Sequence, residues 1–182
     1  MRSTVTVVAM MAAALLATAC APMRVSSHVD RAQDFSGYRT FDWGPADALP
    51  AGDPRLERSP FFQDHIQGAI ERQMAAKGFE RAAVDGVPDL RIHFHAVIAS
   101  RLDVDELDYQ RGYCPGSDCR SGVSEYEEGT LVIDLIDART NRLVWRGWSQ
   151  GSVEGVLDNQ DRLVRKVEEG VRLMFVRLPS PR

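Results

Sequence analysis

The segment from residue 129 to residue 148 constrains the fold of this chain more than any other. Gly129 to Ile136 is strongly apolar, and Arg142 to Trp148 returns with Leu, Val and two Trp side chains. The residues between these runs include Asp, Thr and Asn, which favour turns. Two strand patterns joined by a short turn predict a β-hairpin, so we expect an antiparallel sheet in this part of the chain.

Three earlier segments also have strand patterns. Val25 to Val29 is short, whereas Tyr38 to Trp43 alternates aromatic and polar residues as a half-buried strand does. Leu90 to Leu102 is the longest candidate and begins with apolar side chains at alternate positions. The Pro- and Gly-rich stretch from Gly44 to Pro54 is predicted to be a surface loop, and residues 103–124 are the least regular part of the chain.

Two segments have the periodicity of amphipathic helices. The first begins with Ser59 as N-cap and Pro60 in the first helical position, and it ends at Gly78. Its predicted apolar face consists of Phe62, Ile66, Ala69, Ile70 and Met74. The second runs from about Asn159 to Arg177 and stops at Pro179. Its predicted inner stripe consists of Val164, Val167, Val171, Met174, Phe175 and Leu178.

The order of these elements is strands, helix, several strands and a final helix. Hairpin-linked strands with helices on one face are typical of the α+β class. We therefore expect a two-layer sandwich, with a mostly antiparallel sheet and two main helices packed on one face. This single domain is placed at residues 25–179.

The first twenty residues are typical of an export signal. Met1 and Arg2 precede an apolar run from Val5 to Ala19, which is shorter than the roughly twenty residues that span a bilayer. The run ends in Ala17-Thr18-Ala19-Cys20, which resembles the site at which bacterial lipoproteins are lipidated on cysteine and cut just before it. We expect residues 1–19 to be a signal peptide, Cys20 to carry acyl chains, and residues 20–24 to be a tether. An ordinary cleaved signal is the alternative.

An acylated Cys20 predicts a stable membrane anchor. The next residue is Ala21 and not the Asp that retains such proteins in the inner membrane, so we expect the periplasmic side of the outer membrane. The chain has 22 basic and 26 acidic residues, and loss of Arg2 with the signal leaves 21 against 26, a net charge of −5. This acidic balance argues against nucleic acid as a partner.

Cys114 and Cys119 enclose a short loop that contains Pro-Gly and Ser-Asp. Export to an oxidising compartment favours a structural disulfide between them, and closing so small a loop is worth about 2 kcal/mol. A redox or metal site is the alternative. Neither a Cys-x-x-Cys spacing nor a second cysteine pair supports it.

His93 and His95 are two residues apart in the longest strand, so their side chains lie on the same side. Such a pair can ligate a transition metal if acidic residues from 103–108 complete the shell. A metal site needs three or four ligands, however, and the spacing supplies two. The alternative is two polar residues on a solvent-facing or helix-covered strand. We predict no cofactor and keep the two histidines as weak metal candidates.

Asp134 and Asp137 are candidates for general acid–base chemistry. Asp137 lies at the turn, where an Asp usually accepts hydrogen bonds from its own backbone, and Asp134 is placed to pair with an Arg such as Arg146 across the hairpin. The chain has no His-Glu-x-x-His and no Gly-rich phosphate loop, and the spacing of its Ser, His and Asp residues does not suggest a triad. We predict no catalytic residue and no enzymatic activity.

Trp145 and Trp148 are three residues apart in a strand and therefore lie on opposite faces. One of them is expected to fill the core. The other, together with Arg146, is a candidate contact for a protein or glycan partner. The alternative is that a helix or the 103–124 segment covers it.

Four segments in order carry a family resemblance: 34–43, 88–90, 128–138 and 143–147. Together they resemble the bacterial lipoproteins grouped as the domain of unknown function 4136 family, over roughly residues 24–178. The resemblance implies a lipid-anchored cell-envelope domain and brings no activity, substrate or catalytic residue. The cysteine loop is not part of it.

Our leading hypothesis is a non-enzymatic, lipid-anchored module that binds an envelope protein or glycan. The second is a periplasmic protein that binds a small ligand or a metal through His93 and His95. The third is a hydrolase of an envelope polymer, which needs a pair of carboxylates in a cleft.

Overall fold

The computed structural model describes residues 23–45, 52–104 and 123–181. The strands are β1 (Arg24–Val29), β2 (Thr40–Trp43), β3 (Glu80–Arg81), β4 (Leu90–Val104), β5 (Val123–Asp137) and β6 (Arg142–Ser152). The helices are α1 (Pro54–Glu57), α2 (Pro60–Lys77) and α3 (Gln160–Phe175), and a 3₁₀ turn covers Phe35–Gly37. The predicted signal peptide, Cys20, Cys114 and Cys119 lie outside the described residues.

The six strands form one mixed sheet in the order β1-β6-β5-β4-β2-β3. The predicted hairpin is confirmed as β5 and β6, which are antiparallel. The pairs β1–β6 and β4–β5 are antiparallel as well. The strand β2 instead lies parallel to both β4 and β3. The α+β class is thus confirmed, while the parallel pairing arises because the chain crosses over through α2 between β2 and β3.

Local capping signals fix both ends of α2 and the start of α3. The Ser59 side chain accepts a hydrogen bond from the backbone N–H of Phe62, and Gly78 ends α2 with φ of 94°, a left-handed conformation that favours glycine. The predicted bounds and apolar face of α2 are confirmed. Asn159 caps α3 in the same way, by accepting from the backbone N–H of Arg162.

One hydrophobic core joins the buried residues of the helices to alternate residues of the strands. We call this side of the sheet the inner face, and on β4, β5 and β6 its buried hydrophobic members are Leu90, Ile92, Ala96, Ile133, Leu135 and Trp145. The indole of Trp145 lies 5.1 Å from the ring of Phe175 in α3, measured between centroids. A Cβ atom at Gly147 would lie 2.4 Å from that indole, so the packing of Trp145 requires glycine at this position.

The segments that carry the family resemblance meet at one end of the sheet. The Tyr38 hydroxyl donates a hydrogen bond of 2.9 Å to Asp137, which also accepts from the backbone N–H groups of Arg139 and Thr140. Asp89, immediately before β4, accepts from the backbone N–H and the hydroxyl of Thr40. These motif residues therefore hold β2, β4 and the hairpin turn together.

Candidate functional site on the outer face of the sheet

The opposite side of the sheet, which we call the outer face, carries a row of charged and polar side chains. The strand register places His28, Arg146, Asp134 and His93 side by side across β1, β6, β5 and β4. Side chains directly opposite one another in neighbouring strands are in contact distance. The topology thus brings four titratable groups from four strands into one line.

Asp134 and Arg146 form the centre of this row, as the sequence predicts. Nε and Nη2 of Arg146 donate hydrogen bonds of 2.7 and 2.6 Å to the two carboxylate oxygens of Asp134. The carboxylate raises the pKa of the Arg146 guanidinium above its usual range. The Asp134 side chain is only 3% exposed, whereas that of Arg146 is 45% exposed. The buried Asp134 carboxylate therefore fixes the position of the Arg146 guanidinium, which remains accessible to solvent as a cation.

Trp148 lies in the adjacent row of the outer face. Its neighbours across the strands are Ser26 of β1 and Val132 of β5, and Val132 in turn lies opposite His95 of β4. Trp148 is half-buried, whereas Trp145 is fully buried on the inner face. The expectation that the two Trp residues lie on opposite faces, with one in the core, is confirmed, and Trp145 is not accessible to a partner.

His93 and His95 lie on the same face, as predicted, but His93 is buried whereas His95 is half-buried. His93 is buried beneath the backbone of Gly44, where a Cβ atom would lie 2.1 Å from the imidazole ring. Burial lowers the pKa of His93, and the opposing effect of the Asp134 carboxylate does not outweigh it. The surroundings of His93 therefore favour the neutral imidazole over the charged form.

Within residues 23–45, 52–104 and 123–181 no group of three or more His, Cys, Asp or Glu side chains is placed to hold a metal ion. The acidic residues that were expected to complete such a shell lie at 103–108, which is largely outside the described residues. Neither histidine acquires a third ligand from the part of the chain that is described.

A cleft of about 360 Å³ lies beside β4, near the end of β2. Its aromatic walls include Trp43 and Phe94, whose ring centroids are 6.0 Å apart and whose planes are nearly perpendicular. Its polar lining consists of Glu57, Gln63, Gln67, His93 and His95. Aromatic surface beside amide, imidazole and carboxylate groups is suited to a small polar ligand.

Glu128 is a buried carboxylate that the sequence does not reveal. It accepts hydrogen bonds from Arg24 of β1 at 2.6 Å and from Arg101 of β4 at 3.1 Å. Burial alone would raise the pKa of Glu128, but the two guanidinium groups outweigh it and hold the pKa below its usual range. Glu128 of β5 therefore links three strands, β1, β4 and β5, on the outer face.

Asp137 accepts hydrogen bonds from the backbone of its own turn, as expected. Its carboxylate therefore has a structural role in this turn. Burial alone would raise its pKa, but the hydrogen bonds from Thr140, Tyr38 and Arg139 outweigh that effect and lower it. Asp137 lies opposite Leu90 on the inner face, whereas Asp134 lies on the outer face. The structure does not bring the two carboxylates together as an acid–base pair.

Sequence reasoning missed one motif. Gly147-Trp148-Ser149-Gln150-Gly151 has the form Gly-x-Ser-x-Gly, which serine hydrolases use to expose a nucleophile on a sharp turn between a strand and a helix. Here the five residues lie within β6, and Ser149 is buried on the inner face beside Gly170 of α3. The pattern is therefore not a nucleophile elbow in this fold.

Among the helices of the described ranges, none combines the length and apolar character needed to cross a membrane.

The model of the domain of unknown function DUF4136 matches residues 25–180 of the chain. No curated protein matches the chain in sequence. A DUF4136 family protein of known structure from Bacteroides thetaiotaomicron is similar, with 15% identity and a TM-score of 0.51 over 85% of this chain and 94% of that protein.

A PDZ domain protein from Parabacteroides distasonis aligns with 16% identity and a TM-score of 0.51 over 88% of this chain. The chain spans 37% of the length of that protein. A dodecamer of PelC from Paraburkholderia phytofirmans aligns with 13% identity and a TM-score of 0.39 over 82% of this chain and 97% of that one. These likenesses concern the fold alone.

Proposed function

The chain belongs to the DUF4136 family, and from that premise we propose that it is a lipid-anchored cell-envelope protein that binds a partner through the outer face of its sheet and catalyses no reaction. The observation that carries this proposal is the position of Trp148 beside Arg146. A half-buried aromatic side chain and a cation fixed by a buried carboxylate occupy one face together. Trp and Arg are the side chains that most often dominate the energy of protein interfaces.

The anchor is proposed from the residues that end in Cys20. The first strand begins at Arg24, so a lipid on Cys20 would hold the sheet within a few residues of the membrane surface. Cys20→Ser should release the protein from membranes into the soluble fraction while its circular dichroism spectrum stays unchanged. Metabolic labelling with palmitate should mark the natural chain and not the variant. Continued membrane association of Cys20→Ser would refute the anchor.

We also infer the two-layer arrangement, with both long helices against the inner face. The buried side chains of α2 and α3 belong to the same core as the inner-face residues, which supports this arrangement. The outer face is then the broad surface of the sheet that is left for a partner. We assign it to a protein or a glycan of the cell envelope and not to nucleic acid, because the net charge is negative.

Site-specific photo-crosslinking tests the binding face. A photoreactive phenylalanine analogue replaces Trp148 in one variant and Arg165, which is exposed on α3, in the matched control. Irradiation of intact cells should give a discrete adduct from position 148 and none from position 165. Equal labelling from both positions, or no adduct from position 148, would contradict the proposal.

A second candidate function, binding of a small polar ligand, is favoured by the cleft beside β4. His93 and His95 both line it, together with the aromatic rings of Trp43 and Phe94. A metal is the less favoured ligand, since the described residues supply no third ligand. Thermal melting of the purified protein with and without Zn²⁺ or Cu²⁺ separates the two, because a bound ion would raise the melting temperature.

A further inference from the structure

The two edges of the sheet are built differently. The edge strand β3 has two residues, Glu80 and Arg81, and both are charged and exposed. The edge strand β1 has six residues, Arg-Val-Ser-Ser-His-Val, paired with β6 in continuous register. Short, charged strands are a common protection against edge-to-edge pairing, whereas β1 contains no Pro, no Lys and no bulge. Among the described residues, no strand pairs with the free edge of β1, on the side opposite β6.

The hydrogen-bonding groups that β1 directs outward can be identified from its register. The backbone N–H of Asp30 donates to the carbonyl oxygen of Val144, so the even-numbered residues of β1 bond to β6. The N–H and C=O groups of Val25, Ser27 and Val29 therefore point away from the sheet. These three alternate residues can therefore form backbone hydrogen bonds with a further strand on this edge.

We propose that β1 pairs antiparallel with β1 of a second copy of the chain, about a two-fold axis that passes through Ser27. This inference is independent of what the outer face binds. In this register Ser27 lies opposite Ser27 of the second copy, and Val25 lies opposite Val29 of the second copy. The contact is isologous, because each copy supplies the same strand. It joins two sheets of six strands into one.

A buried hydroxyl group supports the position of the axis. The Oγ atom of Ser27 is buried and has no hydrogen-bond partner among the described residues. Directly opposed Ser side chains on one face of a sheet can hydrogen-bond to each other, and in the dimer a change of rotamer would turn each Ser27 hydroxyl out of its own chain and towards the other. A shift of the pairing by two residues would instead place this hydroxyl against Val25 or Val29. A shift by one residue would exchange the faces of the two sheets.

The charges at the two ends of β1 fit the same register. Arg24 would lie opposite Asp30 of the second copy, on the outer face, at both ends of the two-stranded contact. Arg24 already contacts Glu128, and Asp30 already contacts Arg142, but the Arg24 side chain is still 70% exposed and that of Asp30 25% exposed. Opposite charges directly across a strand pair favour it, and like charges would oppose it.

Cysteine cross-linking in membranes of cells that express the full chain tests the register. A hydrogen-bonded antiparallel pair separates opposed Cα atoms by about 5.5 Å, which is within disulfide range. Mild oxidation of Ser27→Cys should therefore give a cross-linked dimer. Ser26→Cys is the matched control, because Ser26 would lie opposite His28 of the second copy, and the two introduced thiols would be out of reach. The natural chain, treated in the same way, measures any cross-linking that arises from its own cysteines.

A second variant tests the edge without a cross-link. Ser27→Pro removes an N–H that points outward, so it should block the pairing and leave the β1–β6 ladder intact. Native mass spectrometry in detergent should give about twice the chain mass for the natural protein and the single-chain mass for Ser27→Pro. Three results would overturn the proposal: equal cross-linking of the position 26 and 27 variants, an adduct of Ser27→Cys to a different protein, or a natural chain that stays monomeric.

Discussion

The hydroxyl of Tyr38 donates a hydrogen bond of 2.9 Å to the carboxylate of Asp137, which is 99 residues further along the chain. Both groups are buried, and burial together with the hydrogen bond raises the pKa of Tyr38 to about 12. This contact joins the segment before β2 to the turn of the hairpin. The resemblance of this chain to its family is thus carried by residues that hold the fold together.

Removal of that hydroxyl should destabilise the protein. Tyr38→Phe leaves Asp137 with its backbone donors, so we expect the free energy of unfolding to fall by about 1–2 kcal/mol. Urea denaturation measures the change. Tyr126→Phe is the matched control, since the Tyr126 hydroxyl makes no hydrogen bond among the described residues, and its effect should stay within about 0.5 kcal/mol.

Tyr38 also predicts an alkaline limit to stability. Its pKa is about 12 in the folded protein and 10.0 without the fold, so its contribution is fully present below pH 10 and is lost as the pH rises towards 12. Absorbance titration of tyrosinate should show one late-ionising group that is missing from Tyr38→Phe. Identical titration curves for the two proteins would contradict this.

Stability should also fall in acid. The pKa values of Glu128 and Asp137 are both lowered by folding, so their contributions are present above their unfolded pKa values and are lost as the pH falls below about 4. Urea denaturation at a series of pH values should show a shallower acid slope for Glu128→Gln than for the natural chain. An unchanged slope would mean that Arg24 and Arg101 do not act on this carboxylate.

The ion pair on the outer face should respond differently to single and double substitution. Arg146→Leu leaves the buried Asp134 carboxylate unpaired, and we expect a loss of about 2–3 kcal/mol, less than for a fully buried pair because Arg146 is partly hydrated. Adding Asp134→Leu should restore most of that stability. A double variant as unstable as the sum of both single variants would show that the two residues do not act as a pair.

Gly147 should not tolerate a side chain. Gly147→Ala places a methyl group against the Trp145 indole, and overpacking of this kind costs about 1–3 kcal/mol. Gly37→Ala is the control, because a Cβ atom there meets nothing within 4 Å. Thermal denaturation of the two variants compares them directly. Equal melting temperatures would mean that the indole can move aside.

Sequence reasoning was accurate where the determining interactions are local. The bounds of α2 follow from Ser59, Pro60 and Gly78, which act within one helical turn of the ends they define. The same holds for the turn that Asp137 caps. The contrast between Trp145 and Trp148 follows from strand alternation alone.

The remaining features depend on residues that are far apart in the chain. The parallel pairing of β2 with β4 follows from a helical crossover, which periodicity does not report. In the sequence alone Glu128 cannot be distinguished from a surface carboxylate, because its partners Arg24 and Arg101 belong to β1 and β4, which are distant in the chain. The periodicity predicts Val164 in the inner stripe of α3, but it is Leu163 that packs against the core, because the residues opposite a helix decide which of its side chains face inward.

The place of β1 in the sheet also sets the order in which the domain can be completed. The first strand pairs with the last, Arg24 with Gln150, so β1 has no neighbour until nearly the whole chain has been synthesised. Contacts of such high sequence separation slow folding, because the closure of a long loop must precede them. If the chain is exported, as the proposed lipid anchor requires, the sheet would stay incomplete until β6 is available, and its closure could follow export.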